Sequence, residues 1–347
     1  MNPAPRTLGE SEQPLAEVYD CAMLDLDGVV YVGGDAVTDA PELLRSARER
    51  GLTLAFVTNN AARTPHAVAD HLRRLGVDAA DGDVVTSAQA AARELCSLVP
   101  AGSKVLVVGG EGLEEALRER GLEPVDSDLD QPVAVVQGFH PTVGWSLLAE
   151  GGYALRRGVP WVASNLDITV PTDRGIAPGN GALVGVLQAA TGRRPDVVAG
   201  KPYRPLFDET VRRTSAQRPL MVGDRLDTDI EGAIACGADS LLVMTGVTDV
   251  HALCRAGSQS RPLYVSWTLQ GLLTPHHRPQ RGDDGAWSLS DWEVVTSHDG
   301  TLVVRRTGSD ADEGLRVVAV AAWHFYDRAG SDSALDTSGL DDIWPAG

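Results

Sequence analysis

Two carboxylates at the end of a short apolar segment are the residues of this chain best suited to chemistry. The segment 21–26 predicts a buried strand, which delivers Asp25 and Asp27, and Gly28 follows directly. Open α/β sheets bind ligands at the carboxyl ends of their strands. One acid could contact a metal or substrate there, and the other a leaving group. Gly28 lets the backbone turn directly after them. A strand that simply ends in a polar turn is the alternative.

A second acidic group follows another predicted strand much later in the chain. The strand 220–223 leads into Asp224, and Asp227 and Asp229 complete three carboxylates within six residues. Carboxylates this close repel one another, and a divalent cation is the simplest partner that makes the arrangement favourable. The dipole of a helix N-terminus could account for Asp227 or Asp229, but it does not explain Asp224 at the strand end.

Hydroxyl, backbone N–H and ammonium groups occur at two further positions. The predicted strand 53–58 ends in Thr58, and Asn59 and Asn60 add consecutive N–H groups suited to a phosphate. Lys201 lies just before a predicted helix. Taken alone, the first group is more often a turn or helix cap, and a single lysine is usually a solvated surface charge.

Short apolar segments alternate with helical patterns along most of the chain, which predicts parallel sheet and the α/β class. Strands are predicted at 21–26, 53–58, 84–86, 104–108, 133–136, 160–163, 220–223 and 240–244. Helices are predicted at 41–50, 65–75, 88–98, 112–120, 143–157, 181–190, 205–214 and 228–236. Near the C-terminus, 292–297 and 301–306 flank an Asp-Gly turn and predict a hairpin, followed by a helix over 312–328.

Composition narrows the class of protein and of partner. The chain has 347 residues and a net charge of −18, which argues against nucleic acid or an anionic membrane as a partner. Its four cysteines form no CxxC pair, as expected of reduced thiols in a cytosol rather than of disulfides or a zinc site. The sequence has no apolar run of membrane-spanning length and no apolar leader. We therefore expect a cytoplasmic protein.

The four groups, in this order, resemble the motifs of the haloacid dehalogenase-type hydrolases over residues 19–272. The matching residues, motif by motif, are Asp25-Leu26-Asp27-Gly28, Thr58, Lys201, and Gly223-Asp224 with Asp229. The segments DLDGVVY, VTNNAART, SNLDITVPTDRG and GDRLDTDI are similar to NagD-type phosphatases, which carry a C2 cap between the second and third motifs. The segment 139–145 and the C-terminal unit are similar to the actinobacterial glycerol-3-phosphate phosphatase branch.

The resemblance implies a Rossmann-like parallel-sheet core with an inserted α/β C2 cap and a small C-terminal α+β extension of ββα type. The expected parts are a flexible N-terminus (1–18), a catalytic core (19–83 and 191–272), a specificity cap (84–190), a linker (273–285), the extension (286–330) and a flexible acidic tail (331–347). The extension is similar to a fragment of GCN5-related acetyltransferases but lacks their pyrophosphate-binding loop. We therefore expect it to serve packing or regulation, without acetyl transfer.

The resemblance also implies roles for the acids. Asp25 would be the nucleophile that forms an aspartyl-phosphate, and Asp27 the general acid and base. Mg²⁺ would be held by the Asp25 carboxylate, the backbone carbonyl of Asp27, and Asp224. An Asp two residues after the nucleophile is typical of the phosphatases of the superfamily, whereas dehalogenases lack it.

The remaining motif residues would bind the phosphate. Thr58, the N–H of Asn59, and Lys201 would hold its oxygens. Asp229 would not contact the metal itself but would orient Lys201 or a metal-bound water.

Specificity would come from the cap. His140 follows a predicted cap strand and is a candidate for substrate contact, with a surface turn as the alternative. Asn165 and Asp167 are further candidates, with Asx turns as the alternative.

The implied function is a Mg²⁺-dependent phosphatase of small phosphate monoesters, with glycerol 3-phosphate as the first candidate substrate. The alternatives are 2-phosphoglycolate, pyridoxal 5′-phosphate and nucleoside monophosphates. A non-catalytic metabolite-binding or assembly protein is the alternative from another class, and Asp27 weighs against it because binding alone needs no second acid there. The expected partner is a small phosphorylated metabolite, and a homodimer is plausible because C2 caps join subunits in related proteins.

Overall fold

The computed structural model describes residues 7–172, 174–330 and 334–344. It divides into two compact units. One is formed by the described residues up to Leu54 and from Gln217 onward, and the other by Ala55–Ala216. Among the described residues, no helix combines the length and apolarity that crossing a bilayer demands.

Strands and helices alternate along most of the chain. The strands are β1 (Cys21–Leu24), β2 (Tyr31–Val32), β3 (Asp35–Ala36), β4 (Thr53–Thr58), β5 (Val84–Thr86), β6 (Lys104–Val108), β7 (Glu123–Val125), β8 (Ala134–Gln137), β9 (Trp161–Ala163), β10 (Thr169–Thr172), β11 (Gly175–Pro178), β12 (Val197–Val198), β13 (Pro219–Gly223), β14 (Asp239–Val243), β15 (Tyr264–Ser266), β16 (Gln280–Arg281), β17 (Trp287–Leu289), β18 (Trp292–Thr296) and β19 (Leu302–Arg306). The α-helices are α1 (Leu15–Val18), α2 (Ala40–Glu49), α3 (Pro65–Arg74), α4 (Ser87–Leu98), α5 (Glu111–Glu119), α6 (Trp145–Arg156), α7 (Asn180–Thr191), α8 (Arg204–Thr214), α9 (Glu231–Cys236), α10 (Val250–Cys254) and α11 (Ala311–Ala329).

The first unit is built on parallel strands in the order β15-β14-β13-β1. Every residue of β1 is buried, and the register with β13 pairs Leu24 with Val222. Short, wholly apolar strands of this kind are typical of parallel sheets covered on both faces. The predicted α/β class with a parallel-sheet core is confirmed, and the carboxyl ends of β1 and β13 lie side by side.

The second unit contains a separate parallel sheet in the order β12-β9-β8-β6-β7. Helices α6 and α7 pack on one face, where Leu155 and Leu187 contact a cluster that includes Leu106, Val135 and Trp161. In the same unit, β4 and β5 pair in parallel. The predicted cap segment is therefore an α/β structure with its own core.

A buried ion cluster joins α8 to α4 and to the end of α5 within the second unit. Glu209 of α8 is fully buried and lies 2.8 Å from Arg120, which ends α5, and 3.6 Å from Arg93 of α4. Arg212 and Arg213 complete the cluster at 2.6 and 2.7 Å. A buried carboxylate needs such charge partners, so α8 packs with α4 and α5 rather than apart from them.

A C-terminal extension, residues 280–330 and 334–344, adds an antiparallel sheet in the order β16-β17-β18-β19. The predicted hairpin corresponds to β18 and β19, and the predicted helix over 312–328 to α11. Strands β16 and β17 were not predicted, because two or three residues give too short a pattern to recognise. The apolar cluster of the extension, including Val294 and Val318, is continuous with Leu242 of β14 and Val265 of β15. The extension therefore packs on the parallel sheet of its own chain.

The N-terminal segment and the predicted linker differ from expectation, because they pair with each other. Leu8 is buried in the apolar cluster of the extension, and the N–H of Gly9 donates to the carbonyl of Leu263 at 2.7 Å. Ser11 and His276 exchange two backbone hydrogen bonds of 2.8 Å. Residues 7–18, expected to be flexible, are thus packed, and so is the middle of the segment expected to be a linker.

Part of the acidic tail is also packed. Leu340 is 1% exposed, and the ring of Trp344 stacks on Trp292 with centroids 5.4 Å apart and lies 5.6 Å from that of Trp267. These apolar contacts outweigh the polar composition that suggested flexibility. Residues 1–6, 331–333 and 345–347 of the segments predicted to be flexible lie outside the described residues.

His276 is a buried imidazole with one hydrogen bond. Its Nε2–H donates to the carbonyl of Gly271 at 2.8 Å, and its Nδ1 finds no partner among the described residues. Burial, together with the nearby Arg316 guanidinium, lowers the pKa of His276 to about 4. The neutral ring is therefore the form that the folded protein holds.

This environment predicts acid sensitivity. Between about pH 6.5 and 4 the unfolded chain binds a proton at His276 that the folded protein does not, so stability falls as pH falls through this range. We expect wild type to lose about 2 kcal/mol more than His276→Gln between about pH 7.5 and about pH 5. Urea denaturation of both proteins at the two pH values measures the difference. Equal losses would show that His276 does not titrate in this way.

Candidate active site

Two parallel strands place acids at one edge of the first unit. Asp25 directly follows β1, and its N–H donates to the carbonyl of Val222 at 2.9 Å. Asp224 directly follows Gly223, the last residue of β13. The strand register that pairs Leu24 with Val222 thus places both acids at the carboxyl edge.

Asp25, Asp224 and Asp229 form a compact carboxylate cluster. One oxygen of each lies within 4.8 Å of the others. Asp224 is 1% exposed and Asp229 is fully buried, whereas Asp25 is half-buried. The sequence predicted this group across two hundred residues, and the structure brings all three together.

The loop 245–249 surrounds the Asp224 carboxylate with backbone. The N–H of Val247 donates to its Oδ2 at 2.7 Å, and the N–H of Thr248 donates to its main-chain carbonyl at 3.2 Å. A Cβ at Gly246 would overlap this carboxylate, and one at Gly28, which has φ of +82°, would lie 2.5 Å from Oδ2. Glycine is therefore required at both positions.

Asp229 is held in a π-helical turn, Leu226–Ile230. Its Oδ2 accepts the N–H of Arg225 at 3.1 Å, and a Cβ at Gly223 would overlap its carboxylate. Asp227 of the same turn is exposed and pairs with the Arg225 guanidinium at 2.8 Å. Only two of the three acids in this stretch therefore belong to the cluster.

Asp27 lies outside the cluster, where the chain turns after β1. The side chain is exposed, while Leu26 before it and Gly28 after it are buried. The N–H of Gly28 donates to the carbonyl of Tyr31 at 2.8 Å, which closes the turn. An exposed acid in a fixed turn beside Asp25 can exchange protons with a reacting group or with water.

The donor set of the cluster fits a hard divalent cation. Carboxylate oxygens are the ligands that Mg²⁺ and Ca²⁺ prefer, and the backbone N–H groups around Asp224 and Asp229 fix the orientation of two of the three carboxylates. A cation also offsets the mutual repulsion of acids held this close.

The second unit holds the other predicted motif residues around Asn59. Its Oδ1 accepts the N–H of Lys201 at 2.8 Å, and its Nδ2 donates to the carbonyl of Lys201 at 3.1 Å and to Asp167 Oδ2 at 3.1 Å. Its main-chain carbonyl accepts the hydroxyl of Ser87 at 2.6 Å and the amide of Asn165 at 2.7 Å. Asn59 thus connects its own segment to three others of this unit, through its side chain and its main-chain carbonyl together.

Lys201 is nearly buried, with 3% exposure. A Cβ at Gly200 would lie 2.5 Å from Asn59 Oδ1 and 2.6 Å from the carbonyl of Ser164, so only glycine allows this approach. The fixed backbone distinguishes Lys201 from an ordinary surface lysine. Thr58 ends β4 at 5% exposure, and its hydroxyl accepts the N–H of Asn60 at 3.0 Å.

The cap candidates differ in their surroundings. Asn165 uses its Oδ1 to accept the N–H of Asp167 at 3.1 Å, the expected Asx turn, while its Nδ2 donates to Asn59. His140 lies in a turn after β8, where its Nδ1 is 2.7 Å from the Thr142 hydroxyl and its ring covers Gly110. The structure therefore groups Asn165 and Asp167 with Asn59 and Lys201, and gives His140 a separate turn environment.

Several residues of these two groups were missed by sequence reasoning. The loop 245–249, Ser87 and the buried Asn180, whose amide donates to the carbonyl of Asn165 at 2.7 Å, belong to no predicted motif. A glycine shortly after an apolar strand, as at Gly246 after the predicted strand 240–244, was the available signal for the first of these.

Two family profiles match the chain. The haloacid dehalogenase-like hydrolase profile matches residues 22–123, and a HAD-hydrolase-like profile matches residues 198–272. The chain belongs to the haloacid dehalogenase-like hydrolase family, as the order of its motifs predicted.

Two relatives are a phosphatase and a nucleotidase by name. The chain is 47% identical to D-glycerol 3-phosphate phosphatase of Mycobacterium tuberculosis over 320 residues, which cover 89% of this chain and 87% of that protein. It is 38% identical to a 5′-nucleotidase of Bacillus subtilis over 67% of this chain and 90% of that protein.

Solved structures agree with this assignment. Glycerol phosphate phosphatase from Mycobacterium tuberculosis in complex with calcium superposes with a TM-score of 0.85 at 39% identity, over 96% of this chain and 98% of that one. The same protein in complex with magnesium gives a TM-score of 0.81 at 41% identity, over 90% and 92%.

The carboxylate cluster predicts a specific response to Mg²⁺. We expect Asp224→Asn to keep or raise the melting temperature of metal-free protein, because it relieves repulsion, and to lose the rise that Mg²⁺ gives wild type. Asp227→Asn, an acid of the same stretch outside the cluster, is the matched control and should respond as wild type does. Thermal melts with Mg²⁺ and with EDTA measure both effects. A full Mg²⁺ response by Asp224→Asn would contradict the assignment.

The position of Asn59 predicts a compensating pair. Asn59→Asp removes both Nδ2 hydrogen bonds and places a second carboxylate beside Asp167, so we expect a loss of about 2–4 kcal/mol of stability. Adding Asp167→Asn supplies an amide donor again and should recover part of the loss. Denaturation of both single variants and the double variant measures the coupling. Strictly additive losses would contradict a direct interaction.

Proposed function

We propose that the protein is a Mg²⁺-dependent phosphatase of small phosphate monoesters, with glycerol 3-phosphate as its substrate. The observation that carries the proposal is the cluster of Asp25, Asp224 and Asp229 at the ends of adjacent parallel strands. Support for the substrate comes from the 47% identity to D-glycerol 3-phosphate phosphatase, since that match extends over most of the chain.

Mg²⁺ fits the oxygen donors of the first unit. The Asp25 carboxylate, the backbone carbonyl of Asp27, and Asp224 would hold it, with Asp229 acting through water. When bound, the ion screens the negative charge between an anionic nucleophile and an anionic phosphate.

Asp25 serves as the nucleophile in this proposal. Its carboxylate oxygen attacks phosphorus, the bond to the substrate oxygen breaks, and an aspartyl-phosphate forms. Asp27 gives its proton to the departing alkoxide and then takes a proton from the water that hydrolyses the intermediate. The exposed side chain of Asp27 suits an acid that must give up a proton and regain one in every cycle.

The phosphate oxygens are bound by Thr58, the N–H of Asn59, and Lys201. Hydrogen bonds from Asn59 to both main-chain groups of Lys201 support this role, because they fix the lysine backbone before any substrate arrives. Asn165 and Asp167 position Asn59 through hydrogen bonds. Together with His140, they stay the candidates for substrate contact in the cap.

Small phosphorylated metabolites are the proposed partners, whereas the net charge of −18 argues against nucleic acid and anionic membranes. The homodimer and the cytoplasmic location stay predictions, as do the domain limits at residues 84 and 190.

Phosphate release from a panel of esters tests the proposal. Glycerol 3-phosphate should lead the panel, and EDTA or Asp25→Asn should lower turnover about a thousandfold or more. The panel includes 2-phosphoglycolate, pyridoxal 5′-phosphate and nucleoside monophosphates. A leading nucleotide would change the substrate, as the similarity to a 5′-nucleotidase allows, and would keep the mechanism. Failure of every ester to react would favour a non-catalytic binding protein.

The role of Asp27 is separable from that of Asp25. With p-nitrophenyl phosphate, whose leaving group needs no proton, Asp27→Asn should form the aspartyl-phosphate and then hydrolyse it about 10²- to 10⁴-fold more slowly than wild type. Rapid mixing should therefore show a burst of one equivalent of nitrophenolate, and mass spectrometry a phosphorylated chain. Asp227→Asn is the control and should show steady turnover. A burst from Asp25→Asn would overturn the assignment of the nucleophile.

A further inference from the structure

The C-terminal extension contacts the segment that holds Asp224. Loop 245–249 provides both backbone N–H groups that bond to Asp224, and the Thr245 hydroxyl donates to the carbonyl of Gly28 at 2.5 Å. Helix α10 begins directly after this loop, and the Asp249 carboxylate caps it by accepting the N–H of Ala252 at 2.7 Å. Any displacement of α10 therefore acts on the backbone around Asp224.

The first turn of α10 is fixed by residues near the C-terminus. His251 Nδ1 lies 2.7 Å from the Thr337 hydroxyl, and His251 Nε2 lies 2.9 Å from the Asp341 carboxylate. Thr337 is 3% exposed, and Leu340 beside it is 1% exposed. Both ring nitrogens of His251 are thus bound by a short, packed segment.

The other end of α10 is fixed by α11. The indole N–H of Trp323 donates to the carbonyl of Leu253 at 2.8 Å in a buried site. Arg261 bonds to the carbonyl of Ala256 at 3.1 Å and to Asp327 of α11 at 2.9 Å, and its guanidinium lies over the Trp323 ring at 5.3 Å. The extension therefore contacts α10 at both of its ends.

We infer that the C-terminal extension sets the Mg²⁺ affinity of the active site by holding α10 and loop 245–249 in place. The inference rests on the proposed function, since it takes Asp224 as a metal ligand. The extension reaches that ligand through main-chain contacts. His251 and Trp323 are positioning residues, because they act through the loop and touch neither metal nor substrate.

Two buried tryptophans provide a matched comparison. Trp323 and Trp292 are 2% and 3% exposed, and each donates its indole N–H to one main-chain carbonyl, at 2.8 and 2.7 Å. The acceptor of Trp323 lies in α10, whereas the acceptor of Trp292 is Asp310, within the extension itself. Trp323→Phe and Trp292→Phe therefore each remove one indole hydrogen bond, and only the bond of Trp323 ends on α10.

The experiment measures hydrogen exchange and Mg²⁺ binding in the full-length chain. In metal-free protein, Trp323→Phe and the double variant Thr337→Val with Asp341→Ala should speed exchange at the amides of Val247 and Thr248 about threefold or more. Calorimetry should show the Mg²⁺ Kd of both variants raised about threefold to tenfold. At saturating Mg²⁺, kcat and the substrate KM should stay close to wild type. Trp292→Phe should match wild type in both exchange and Kd, even where its melting temperature falls.

Four results would overturn the inference. Equal exchange at Val247 and Thr248 in all proteins would show that the extension does not hold the loop. Faster exchange with unchanged Kd would show that the loop does not set metal affinity, and equal weakening by Trp292→Phe would show a general loss of stability. Wild type that binds no more Mg²⁺ than Asp224→Asn would overturn the proposed function as well, which distinguishes the two failures.

Discussion

Repulsion among carboxylates is the constraint on which the first unit depends. Asp224 and Asp229 are buried, and their oxygens lie within 4.8 Å of those of Asp25. Folding must bring these charges together before any cation can offset them, and the desolvation of buried carboxylates adds to the cost. A parallel sheet suits this task, since the pairing of β1 with β13 holds the two strand ends side by side.

The same repulsion among carboxylates explains why glycines and backbone N–H groups surround the cluster. Gly28, Gly223 and Gly246 are positions where a Cβ would overlap or crowd a carboxylate of the cluster. The main-chain N–H groups of Val247 and Arg225 donate to the carboxylates of Asp224 and Asp229 and fix their orientation. A protein built in this way needs support for the backbone that supplies those donors, and loop 245–249 takes part of its support from the C-terminal extension.

The sequence indicated the strand ends well because their signal is local. Apolar residues followed at once by Asp25 or by Asp224 need no distant partner to be recognised, and the parallel sheet confirmed the side-by-side placement. The N-terminal segment has no such local signal, because its order depends on Ser11 pairing with His276, far along the chain. The packing of the tail could not be predicted for a related reason. Leu340 and Trp344 are isolated apolar residues in a polar segment, and they are packed only because of the core that they contact.

Asn59 shows why local alternatives could not be resolved from the sequence. A Thr-Asn pair after a strand is typical of a turn, and Asn165 with Asp167 is typical of an Asx turn, which does form. The same side chains also bond over long range, since Asn59 and Lys201 are 142 residues apart in the chain. The turn and the functional interpretation were posed as alternatives, yet a turn with a rigid backbone is what lets an amide reach a distant partner at a defined angle. The local turn at Asn165 therefore helps to position the Lys201 segment. Asn165 bonds to Asn59, and Asn59 in turn bonds to Lys201.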